Sequence, residues 1–74
     1  MSKFRAACAA LRSEQAADRL LRQFERVPHG EDCAPLLSEA FDLLTESAAL
    51  WRQADRIERA EHVESVAATL GVVR

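Results

Sequence analysis

His29 and Cys33 stand four residues apart, the closest this chain comes to a metal-ligand pair. A zinc site needs a second matched pair, and Cys8 and His62 offer no such spacing. Cys33 has a second conceivable chemistry, since a helix N-terminus favours the thiolate. The neighbouring Glu31 and Asp32 oppose it, and a small residue packed at the base of a turn is the simpler reading. Glu58, Glu61 and Glu64 bring three carboxylates together, but Arg56 and Arg59 are interleaved with them, as on a solvated helix face. His62 sits on the flank of the same helix as a half-exposed surface histidine. A glycine-rich phosphate loop, a nucleophile elbow and a His–Glu zinc-protease spacing are all missing. The inventory therefore predicts no catalytic residue, no metal and no cofactor, and hence not an enzyme.

The most regular chemistry is cationic. Arg5, Arg12, Arg19 and Arg26 recur every seven residues. Such a ladder either lines a phosphate backbone or clasps carboxylates on a neighbouring helix, so the elements that carry it decide the matter.

At 74 residues the chain is one domain. A fold of this size buries only about 60% of the surface its unfolded chain exposes, and usually needs help from disulfides, metals or self-association. Much of the 49% apolar content is alanine, which buries little area. Two cysteines without a secretory leader read as reduced thiols in a cytoplasmic setting. No run approaches the eighteen apolar residues of a membrane span, so no membrane partner is expected. Self-association is the remaining help. Net charge is only −2, but its distribution is polar. Residues 1–27 hold six basic and three acidic side chains, whereas residues 28–50 hold five acids and no Lys or Arg.

Proline and glycine cluster in "VPHGEDCAP", and neither occurs between Leu36 and Leu70. The chain reads all-α: a helix over about 3–26, a turn over 27–32, a helix over about 33–53, and a third over about 56–70. The first stops ahead of Pro28. A stripe of Phe4, Ala7, Cys8 and Leu11 gives way to Ala17, Leu20, Leu21 and Phe24, and Ser13–Glu14 could start a new helix, but an unbroken helix is preferred. Asp32 is the expected cap of the second helix, with Pro35 in its first turn. That helix has two stripes, Leu37/Phe41/Leu44/Ala48/Trp51 and Leu36/Leu43/Leu50, too wide an arc for one neighbour. Past Gln53 the phase breaks into Ile57/Ala60/Val63/Ala67/Leu70. Asp55 is the expected cap of this third helix and Gly71 its C-terminal stop, with one long bent helix as the alternative.

Folded as an antiparallel hairpin, the first two helices place residues opposite when their numbers sum to about 58. Small then meets large, as Ala17 meets Phe41 and Ala7 meets Trp51. Arg26 faces Asp32, Arg19 faces Glu39 and Arg12 faces Glu46, while Arg5 finds only Gln53 and Glu14 falls opposite Leu44 as a flaw. Matched rungs set register and orientation, so the ladder is expected to be a lock, within one chain or across a dimer. Arginines pointing away from those acids would instead make a polyanion the natural occupant.

The expected architecture is a helical hairpin plus a third C-terminal helix, pairing into a dimeric bundle. Its shape is similar to the plasmid copy-control RNA-binding hairpin, and residues 44–67 resemble one tetratricopeptide repeat through Leu44, Ala48, Trp51, Ala60 and Ala67. Ser47 and Glu64 occupy places where that repeat has large apolar side chains, and no family is assigned. The expected function is a small protein-interaction module, an adaptor or inhibitor, with Leu36, Leu43, Leu50, Trp51 and Ile57 as homodimer or partner interface. The alternative is a dimeric nucleic-acid-binding regulator using Lys3, Arg5, Arg22, Arg52, Arg56 and Arg59. An alanine- and arginine-rich composition suits a bacterial or phage accessory protein.

Overall fold

The computed structural model describes residues 2–26 and 34–73, which form α1 (Lys3–Arg26), α2 (Ala34–Gln53) and α3 (Ile57–Val73). The expected Asp32 cap and the Arg26–Asp32 rung lie outside the described residues, as do His29 and Cys33. Helix α1 begins at Ser2, whose Oγ accepts from the Arg5 amide at 3.2 Å and whose carbonyl accepts from the Ala6 amide at 2.9 Å. That is an N-cap, satisfying a donor that no helical carbonyl can reach. The helix then runs unbroken to Arg26, so Ser13–Glu14 starts nothing new.

Helix α2 is the middle element, packed against both α1 and α3, as its wide apolar arc requires. The close approach of α1 rests on Ala6, Ala10 and Ala17, all fully buried. Ser47, also fully buried, donates its hydroxyl to the Ala10 carbonyl at 2.9 Å. A larger side chain at either position would hold the helices apart. This bond places residue 47 over residue 10, within one position of the expected register. On its other side α2 meets α3 around a core of Leu44, Ala48, Val63 and Ala67, joined by Ala17 and flanked by Phe41, Leu43, Trp51, Val66 and Leu70. The result is a slab with extents of 43 × 19 × 13 Å.

Two boundaries differ from expectation. Asp55 does not cap α3; it ends α2. Its φ is +64°, its amide donates to Arg52 O at 3.0 Å, and the Arg56 amide donates to Trp51 O at 2.9 Å. This pair of bonds around a left-handed residue is a Schellman motif. Arg56 is then the N-cap of α3, its carbonyl accepting from the Ala60 amide at 3.0 Å. Gly71 likewise does not stop α3, which continues to Val73; glycine permits a left-handed stop without compelling one, and inside a helix costs only about 1 kcal/mol against alanine.

Asp55→Gly should hold or raise thermal stability, because glycine enters the left-handed region without the roughly 1–2 kcal/mol penalty of other residues. Asp55→Val should lower it by at least that amount, both read by circular dichroism melting.

Candidate functional site

Glu14 leaves α1 on the side facing α3, with its side chain only 14% exposed. A carboxylate held in that position needs donors, and it receives them from both other helices. The Trp51 indole Nε1 donates to Oε1 at 3.2 Å. Arg59 donates Nε to the same oxygen at 3.2 Å and pairs through its second nitrogen with Oε2. The guanidinium of Arg59 also lies over the Trp51 ring, 5.9 Å from its centroid, a cation–π contact. Glu14, the flaw in the hairpin register, is therefore the point where α1, α2 and α3 join.

Beside this junction lies an open groove of about 400 Å³, lined by Phe4, Ala7, Cys8, Leu11, Trp51, Arg56 and Arg59. Phe4 is 78% exposed and Leu11 44%. Ile57, expected in the core stripe of α3, is 43% exposed and lies beside Arg56 in the adjoining surface. It opens the helix before α3 has settled onto α2. The Phe4/Ala7/Cys8/Leu11 stripe, which drifts away from the α2-facing one, is the wall of this groove.

Among the described residues the arginine lock does not form within the chain at Arg12 or Arg19. Arg5, Arg12, Arg19, Glu39 and Glu46 are exposed, and among the described residues no ion pair joins Arg12 to Glu46 or Arg19 to Glu39; the ion pairs found are Lys3–Asp55, Arg52–Glu64 and Arg59–Glu14. The levels match, but the directions do not. At about 100° per residue, Arg12 and Glu46 each sit more than a right angle from the line where their helices touch, so their side chains splay apart. Of the cations considered for nucleic acid, Lys3, Arg52 and Arg59 are engaged in these pairs, while Arg5, Arg22 and Arg56 are exposed on separate faces.

Leu36, Leu43 and Leu50 are half-buried along one edge of α2. Around α2 they follow Ser47, which touches α1, and lie away from Phe41, Thr45, Ala48 and Arg52, which meet α3. The stripe thus lies off the line where α2 meets α3, although Leu43 also packs in part against the core cluster. The two departures from a tetratricopeptide pattern have polar roles: Ser47 bonds to α1, and Glu64 pairs with Arg52. Cys8 is a free, half-buried thiol and His62 is exposed. Among the described residues no three His, Cys, Asp or Glu side chains converge to hold a metal ion, and no helix is long and apolar enough to cross a membrane. Comparison with protein-family models, curated proteins and solved structures returned no match.

Replacing Glu14 with alanine strands the Trp51 indole donor and should destabilise the fold by roughly 1–3 kcal/mol. A Glu14→Gln/Arg59→Met double-mutant cycle should give a coupling above the roughly 0–1 kcal/mol of an exposed ion pair. Urea unfolding followed by Trp51 fluorescence reads both.

Proposed function

We propose that this chain is a non-enzymatic protein-interaction module, an adaptor or inhibitor that acts by occupying a partner's surface, working in the cytoplasm. The observation that carries the reading is that, of the three most exposed large apolar side chains among the described residues, Phe4 and Leu11 line one preformed groove and Ile57 lies in the adjoining surface. Monomeric surfaces scatter such residues singly, whereas a clustered and concave set marks an interaction site. Trp51 supplies a rigid aromatic floor, locked by Glu14 and Arg59, and anchored aromatics of this kind carry much of the energy of protein interfaces. Arg56, which lines the groove and makes no ion pair among the described residues, favours an amphipathic helix with an acidic flank. Ile57 and Trp51 thus belong to the partner surface.

Capture from the native host tests this. Phe4→Ala and Leu11→Glu chains that keep wild-type helicity should retain the captured protein at least about tenfold less well; undiminished capture by both would refute the groove as the contact.

A second reading is a nucleic-acid-binding regulator, favoured by one observation: Arg5, Arg12 and Arg19 stand exposed without an ion pair among the described residues. Its test is binding to short RNA and DNA oligonucleotides at two salt concentrations. Binding that falls steeply with salt supports it, and silence at low salt removes it.

A further inference from the structure

The face of the hairpin opposite α3 has a pattern that the groove reading does not use. Its floor is half-buried and mostly apolar, formed by Ala9, Ser13, Ala16 and Leu20 of α1 beside Leu36, Leu43 and Leu50 of α2. Its two rims carry opposite charge. Along the outer edge of α1 run Arg5, Arg12 and Arg19; along the outer edge of α2 run Glu39 and Glu46. None of these five makes an ion pair among the described residues.

We infer that this face binds a second copy of the chain, through a two-fold axis parallel to the helices. A self-complementary interface must present each feature and its counterpart on one surface, and here a basic rim and an acidic rim flank one floor. The charges select the axis. A two-fold perpendicular to the helices would lay α1 on the partner's α1, setting arginine against arginine. A two-fold along the helices lays α1 on the partner's α2 and preserves the level of every residue.

Because the Ser47–Ala10 bond fixes those levels, Arg12 meets the partner's Glu46 and Arg19 meets the partner's Glu39. Two of the three floor pairs then set small against large. Ala16 lies under the partner's Leu43 and Ala9 beside the partner's Leu50, a small-against-large fit that close helix packing favours, while Leu20 meets the partner's Leu36 as an apolar pair at the end of the floor. The rungs at Arg12 and Arg19, open within one chain, close between two. The groove at Phe4 and Leu11 is on the other side of the slab and stays free, so the dimer stands or falls independently of what fills that groove.

Sedimentation equilibrium tests the proposal with charge-reversed chains. The wild type should show twice the 8.2 kDa chain mass. R12E/R19E and E39R/E46R chains should each sediment as 8.2 kDa monomers with unchanged helicity, self-association weakened by about tenfold or more. Mixed in equal amounts, the two should regain the doubled mass, since each supplies the rim the other lacks. L43E should be monomeric alone and in either mixture. If a double reversal loses helicity, R12E and E46R singly replace it in the same mixing experiment. A wild type that stays monomeric at high micromolar concentration overturns the inference. So do reversed chains that still dimerise, or folded reversed chains that fail to complement each other.

Discussion

Glu14 is a single carboxylate shared by three helices. Its oxygens take the indole hydrogen of α2 and the guanidinium of α3 while its own backbone lies in α1. Helices α1 and α3 otherwise have no backbone approach among the described residues; both are held to α2. Without that side chain α3 would keep its packing on α2 but lose its angular reference to α1. The groove depends on that reference, because its walls belong to α1 and α3 while Trp51 forms its floor. An ion pair that is partly withdrawn from water is worth more than an exposed one, and it also fixes direction, which apolar packing alone leaves loose.

The α1–α2 contact works by a different principle. Alanine contributes little buried area, at about 25 cal/mol per Å², so Ala6, Ala10 and Ala17 matter chiefly for letting the backbones come close. Closeness brings the Ser47 hydroxyl to the Ala10 carbonyl, and that one bond sets the axial register of the hairpin. Register in turn decides which charges share a level along both outer edges. Apolar area comes from elsewhere, from Leu44 and Val63 with Phe41, Leu70 and Trp51 around them.

Much of this was legible in the residues. Pro28 marks the end of α1 and Pro35 the first turn of α2, the change of phase after Gln53 marks the α2–α3 break, and alternating small and large side chains give the hairpin register to within one position. Whether the charge ladder closes within one chain was not legible, because a seven-residue repeat encodes level along a helix but not the angle at which a side chain leaves it. Asp55 misled because a short acidic residue suits both a helix start and a left-handed helix end. Glu14 was missed because register arithmetic compares two helices at a time, and its donors come from two others at once. The available signal was an acid beside an apolar stripe, in a chain whose one tryptophan needs an acceptor.

Among the described residues the bulkiest side chains sealed completely from solvent are Val63 and Ser47; all four aromatic residues are at least partly exposed. A slab only 13 Å through has little true interior. Exposure of apolar surface on melting sets the heat-capacity increment, and that increment sets the curvature of stability with temperature. A lone chain of this shape therefore has a shallow, broad stability curve, nearly level across ordinary growth temperatures and low at its summit. Warmth and cold would each erode it slowly.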